Sequence, residues 1–299
     1  MPSLLGRLSR TDTAAGWALA SPPAAVLIGI FGLLPVLMSL QLSFQQSDLL
    51  RPQTPWVGLA NYRKLAEDPP VFVEAIKHTI VYTALFVPGT MLVGLFVAAA
   101  MNRSVRFISV YRTAAYITMA VSTISQGIIF LWLTDRDYGL VNAGLNAVGI
   151  SSQPFLASPS QALFVIVAMT IWGGWTGFSV IVYLAALQGV PAELHEAAMI
   201  DGASAFTRFR TITVPLLGPA NLFLLVWLTI NALQLFDEVY ATTRGGPLRA
   251  TTVIVYYLWD RAFVHFDAGY AAAMAYALFV VILLITAVQF RLARKHVQN

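Results

Sequence analysis

The chain has 299 residues, 58% of them hydrophobic and 11% charged, with a mean hydropathy of +0.72 and a formal net charge of +4. A water-soluble domain carries about 25% charged residues, so an ordinary soluble globule is excluded. Cysteine is absent, which excludes disulfides and thiolate metal sites.

Residues 1–13 carry Arg7 and Arg10 ahead of an apolar run, much like the start of a secretory signal. A signal core is only about 7–15 residues long, whereas 17–44 is free of charge throughout. A retained first membrane span is therefore expected. Five further charge-free windows follow, at about 79–101, 113–133, 161–187, 211–236 and 269–290. Each reaches the ~20 residues that a bilayer-crossing helix needs. Inside lipid each must be helical, because no water is there to satisfy the backbone. The expected fold class is an all-α integral membrane protein: six transmembrane helices in one domain, termini on the same side. Pro35, Pro88, Pro215 and Pro219 predict kinks.

Orientation follows from the basic residues near the span ends. The termini and the 102–112 and 188–210 loops hold Arg7, Arg10, Arg103, Arg106, Arg112, Arg208, Arg210, Arg291, Arg294 and Lys295, ten of the eighteen bases. The compact 102–112 loop alone contributes three, which places the termini in the cytoplasm. Basic residues clustered at membrane edges also explain the sequence pI near 9.4 without nucleic acid. The outer loops, about 45–78, 134–160 and 237–268, contain helical spacing from Gly139 onward and from Thr252 to Phe263. The second of these reads as a surface-lying helix. His78 and Lys77 read as headgroup contacts at the outer start of the second span.

Between the fourth and fifth spans lies a patterned polar stretch. Pro191 suits the first turn of a short helix, and Glu193 and Glu196 complement its dipole. Leu194, Ala197 and Ala198 stand at i, i+3 and i+4, a small apolar face. Gly202 supplies a left-handed turn, and Ser204 can cap the next helix. Short capped connectors of this kind are common, so the full spacing matters more than any one residue. It reads Glu196-Ala197-Ala198, three residues to Gly202, then nine to Ile212-Thr213-Val214-Pro215.

That pattern resembles the cytoplasmic EAA loop of ABC-importer permeases, with Val214 where the family usually has Leu. Val57-Gly58-Leu59-Ala60-Asn61-Tyr62, Phe236-Asp237-Glu238-Val239-Tyr240, Gly245-Gly246-Pro247 and Thr251-Thr252 are similar to the carbohydrate-type permeases. Tyr116-Ile117 departs from the Leu-Pro of many relatives. The resemblance covers about 21–290, and the stretches 245–252 and 288–291 look most similar to the glycerol-3-phosphate and glycerophosphodiester branch. It implies a six-helix permease of a bacterial cytoplasmic membrane that passes a carbohydrate or polyol-type solute (a maltose-like or other sugar, glycerol-3-phosphate or a glycerophosphodiester) from an extracytoplasmic solute-binding protein into the cytoplasm, driven by an ATPase dimer and working with a second homologous permease. It also implies that Leu194, Glu196, Ala197, Ala198, Gly202 and Pro215 form the ATPase-coupling element. ATP and Mg would be bound by the partner ATPase and no cofactor by this chain. In keeping with this, none of the three lysines sits in a phosphate-binding GxxxxGK[ST] loop.

Polar residues inside spans are functional candidates, because lipid makes them costly. Asn231, Gln234 and Glu238 fall at i, i+3 and i+7 on the fifth helix, a single stripe reaching its outer end, with Asp237 beside it. Trp172-Gly173-Gly174-Trp175 offers two aromatic faces on a pliable backbone, and Ser122 and Gln126 mark the third span. Amides and aromatic faces suit a sugar or polyol. Glycines in membrane helices also serve as packing surfaces, and tryptophans as interfacial anchors. An ion-coupled secondary transporter is the rival reading. It would show inverted repeats or mid-membrane charges, whereas all six windows are charge-free.

Overall fold

The computed structural model describes residues 25–47, 53–67, 70–102 and 107–297, with side chains to 293. The start of the expected first span, and Arg7, Arg10, Arg103 and Arg106 of the charge asymmetry, lie outside the described residues. Among the described residues every regular element is helical, and one isolated bridge pairs Gln45 with Trp56.

Three helices are long and apolar enough to cross a membrane by themselves. They are α1 (Ala25–Ser43), α3 (Pro70–Met101) and α14, which runs over Ala268–Val297 with its apolar window in Ala268–Ala293. Three more crossings arise if bent pairs count as one span each: α4 (Ile108–Ala120) with α5 (Thr123–Leu133) at 100°, α7 (Ala162–Trp172) with α8 (Gly174–Gln188) at 43°, and α10 (Ala205–Leu216) with α11 (Gly218–Leu233) at 65°. The charge-free windows thus do not mark straight rods. The largest departure is in the third window, where Ser122 adopts extended backbone and its hydroxyl accepts from the Ser125 amide at 3.3 Å, starting a new helix. Gln126 ties the bend by donating to the Thr118 and Val121 carbonyls at 3.2 and 2.9 Å. These are end-of-helix acceptors that would otherwise lack a partner. The second window extends outward to Pro70, taking in Glu74, Lys77 and His78, and Pro88 sits inside the helix without ending it. His78 Nδ1 lies 3.0 Å from the Thr252 carbonyl, a protein contact rather than a headgroup one.

The described residues fall into two compact units, those up to Glu67 with Arg261–Ala277, and those within 68–260 with the described residues from Leu278 onward. In the first, the 57–62 motif acquires a physical reason. Gly58 adopts φ +57°, and α2 (Ala60–Glu67) places Asn61, 8% exposed, so that its amide donates to the Ser43 and Gln45 carbonyls at 2.9 and 3.0 Å. Tyr62 bonds the Ser43 hydroxyl at 2.8 Å, Phe44 stacks on Trp56, and Lys64 pairs with Asp267 at 2.7 Å.

In the second unit, α3, α8 and α11 share a core that includes Tyr82, Phe86, Val180, Tyr183, Leu224 and Leu228. Close approach of α3 and α8 depends on small residues: a Cβ built on Gly94 would stand 2.7 Å from the Ser179 Cβ. Likewise a Cβ on Gly177 would meet Met119 and the Ala115 carbonyl at 2.8 and 2.9 Å, so this glycine is a packing surface for α4. The helical spacing from Gly139 onward folds as α6 (Leu140–Ala147), and the expected surface helix is α13 (Ile254–Trp259). It packs inward: Val253 and Tyr257 are buried, and the Ile254 amide donates to Thr79 on α3 at 3.1 Å. A large apolar surface remains outside, with Phe96 at 76% and Leu92 at 68% exposure on α3, as a lipid-facing helix requires.

Candidate functional site

Helix α11 ends at Leu233, Gln234 caps it, and the chain resumes helically at α12 (Asp237–Ala241). The predicted single stripe is therefore broken in two. The break follows from local chemistry: carboxylates in a first turn are favoured by the dipole, and Asp237 and Glu238 occupy that turn. Helix α12 is held against α5, where a Cβ on Gly127 would stand 2.8 Å from the Ala241 Cβ.

This arrangement encloses a cavity of about 280 Å³ lined by Tyr82, Phe86, Thr123, Trp175, Asn231, Gln234, Leu235, Phe236, Asp237 and Glu238. Five residues singled out in the sequence, Trp175, Asn231, Gln234, Asp237 and Glu238, thus meet in one place. Asn231 donates to the Trp227 carbonyl at 2.7 Å, which fixes its amide along the helix. Trp175 meets Phe86 edge-on with centroids 6.3 Å apart, and Phe86 stacks on Tyr82 at 5.2 Å. A second cavity of about 250 Å³ shares Thr123, Trp175 and Glu238 with the first and adds Gln126 and Trp227. Glu238, beyond the end of the fifth span, is only 6% exposed. Burial is the main cause that pushes its carboxyl up to about 6.

Trp172 is not part of this cavity. The break at Gly173 turns it toward Phe130, 5.6 Å between centroids, and leaves it 55% exposed. A Cβ on Gly173 would collide with the Gln126 side chain, so that glycine makes room for the tie across the α4–α5 bend. Tyr82, Phe86 and Thr123 were not anticipated. Tyr82 and Phe86 sit in an unbroken apolar run, and only the Ser122-x-x-Ser125 capping signal marked the turn that delivers Thr123.

The patterned loop folds as the short helix α9 (Ala192–Ile200), with Pro191 just before its first turn and Glu193 within it. None of its residues is buried. Leu194, Met199 and Ile200 are 43%, 51% and 88% exposed, apolar area that the described residues leave partly or wholly uncovered. Gly202 takes φ +78°, and the Ala203 amide closes back on the Ala198 carbonyl at 2.9 Å, which is the usual left-handed stop. Ser204 then caps α10 through the Thr207 amide at 3.2 Å, and Arg208 donates to the Ala203 carbonyl at 2.9 Å. Pro215 lies after a π-turn, Phe209–Thr213, just ahead of the 65° bend.

The family described as "Binding-protein-dependent transport system inner membrane component" matches residues 90–297. The chain belongs to this family. Members at similar distance include the lactose transport system permease protein LacF of Rhizobium radiobacter, 34% identical over 94% of this chain and 94% of that one. The sn-glycerol-3-phosphate transport system permease protein UgpA of Agrobacterium fabrum is 33% identical over 92% and 93%. Among solved structures, a bacterial ABC transporter involved in the import of the acidic polysaccharide alginate aligns with a TM-score of 0.81 at 24% identity, covering 95% of this chain and 98% of that one. The fold is thus that of an ABC-importer permease. As a family member the chain is a transporter component of the inner membrane, not an enzyme.

Proposed function

We propose that the whole chain works as one permease domain that carries a sugar or polyol into the cytoplasm, through a pathway that includes the cavity around Trp175, Asn231 and Glu238. The observation that supports this most is the convergence of two amides, two carboxylates and aromatic faces on one cavity, built from α3, α8, α11 and α12. A sugar offers hydroxyls to the polar groups and an apolar ring face to the aromatics. On this reading six helices cross the bilayer, with the bent pairs counted as single spans and the termini in the cytoplasm, as the basic residues favour.

The exposed helix α9 is then the seat of a partner ATPase dimer, with Glu196 holding the contact and the Leu194, Ala197 and Ala198 face in the groove. A second, homologous permease completes the pathway, and a solute-binding protein delivers the solute from outside. ATP and Mg act on the partner ATPase. Nucleotide-driven closure of that pair moves α9, and the 205–233 bent pair carries the motion toward Asn231. Near-complete switching requires nucleotide to favour one state by ~5 kcal/mol, so the coupling helix must be rigidly seated.

Asn231→Ala removes a cavity amide without touching α9. Its expected effect is about a tenfold loss of apparent affinity in uptake, worth ~1.4 kcal/mol, with assembly and basal ATPase rate retained. Unchanged uptake kinetics would take Asn231 out of the pathway.

A further inference from the structure

Among the described residues, both cavities are lined without a lysine, arginine or histidine. The charged groups in that described lining are the adjacent carboxylates of Asp237 and Glu238. We propose that the cavity selects polyhydroxylated solutes that carry no negative charge, and that Asp237 and Glu238 are the residues that exclude phosphate esters and uronates. This rests on the reading of the cavity as part of the pathway.

The chemistry is that of a polyol site built from acceptors. Two carboxylates can each accept from hydroxyl groups, and hydrogen bonds to an ionised acceptor are the stronger kind. Asn231 and Gln234 add amide donors and acceptors, and Trp175 presents an indole ring. A neutral sugar satisfies all of these at once. A phosphomonoester or uronate brings its charge against like charges in a partly enclosed cavity, where repulsion is less screened than in bulk water. It also finds no cationic side chain in the described lining. Glu238 is only 6% exposed, so its carboxylate is held within the lining rather than in open solvent. It also borders both cavities, so a solute passing from one to the other meets it twice.

The test uses the assembled transporter in nanodiscs without its solute-binding protein, so that the selection measured is the permease's own. Saturation-transfer difference NMR at pH 7.5 is recorded with galactose and galacturonate, a pair matched except for the carboxylate, and with sn-glycerol 3-phosphate. Galactose is expected to bind, with both anions at least tenfold weaker. The double variant Asp237→Asn, Glu238→Gln should close most of that gap, with both anions binding at least threefold tighter than in the native protein and galactose weaker, since it loses two ionised acceptors. Anions binding as well as galactose in the native protein, or a gap unchanged in the double variant, would overturn the proposal. Asn231→Ala and Gln234→Ala separate the two failures. If they weaken every probe while the anions bind well, only the charge selection is wrong. If no probe responds to them, or none binds, the pathway reading itself falls.

Discussion

Replacing Gly202 with arginine is expected to abolish uptake and ATPase association while leaving membrane insertion intact. Gly202 sits at φ +78°, where an L side chain costs about 1–2 kcal/mol. That backbone cost alone is modest and would fall on Gly202→Ala as well. A Cβ there meets nothing within 4 Å among the described residues, so the first side-chain atom adds backbone strain but no clash. The severe effect of Gly202→Arg must therefore come from collision with whatever covers α9. Three variants resolve this: Gly202→Asn, which tolerates the left-handed region, should transport nearly normally, Gly202→Ala moderately, and Gly202→Arg not at all. The measurement is solute uptake alongside co-purification of the ATPase. Equal losses in Ala and Arg would assign the effect to backbone strain, and normal uptake by Gly202→Arg would remove the docking role.

Gly94→Leu is expected to prevent the second unit from assembling. The two helices that meet there, α3 and α8, approach so closely that even a methyl at position 94 would stand 2.7 Å from the Ser179 Cβ and 3.5 Å from its carbonyl carbon. Helices in lipid associate through such close packing, because the hydrophobic effect gives no drive between them. Overpacking costs about 1–3 kcal/mol even where a core can shift, and here the obstacle is attached directly to backbone. Both helices also supply the cavity, α3 through Tyr82 and Phe86 and α8 through Trp175. Gly94→Leu should insert yet yield little folded protein after detergent extraction, and Gly94→Ala an intermediate amount. Gly144→Leu is the control, because nothing lies within 4 Å of a Cβ there. Native melting behaviour of Gly94→Leu would contradict the packing account.

Hydropathy located all six apolar stretches because the bilayer imposes length and a satisfied backbone on any span. It was silent on shape, for the same reason: a break inside lipid needs no charge, only local groups that rescue the freed carbonyls. Ser122 and Gln126 do this at the 100° bend, and both had been visible only as polar marks in an apolar window. The patterned 191–204 loop was the most legible part. Capping residues act within a few positions of themselves, so Gly202 and Ser204 could be assigned their turn and cap directly, and the structure has them there.

The cavity was half legible. Helical spacing linked Asn231, Gln234 and Glu238, and they do meet, but by a route the spacing did not describe. The helix stops at Leu233 and a second one brings the carboxylates back. The pairing of Trp172 with Trp175 failed because Gly173 separates them into two helices. Tyr82 and Phe86 carried no signal at all, since an aromatic in a buried run looks alike whether it faces a core or a cavity. What helical spacing cannot express is where a helix ends, and here the ends make the site.

The claim that matters most is that α9 faces the cell interior beneath a nucleotide-hydrolysing partner. The native chain has no cysteine, and Ile200 is 88% exposed, so Ile200→Cys places one reporter thiol at the tip of that helix. Labelling with a membrane-impermeant maleimide should fail on intact spheroplasts, succeed on inverted vesicles stripped of the ATPase, and be blocked when the ATPase is restored. Labelling from outside, or labelling indifferent to the ATPase, would contradict the account.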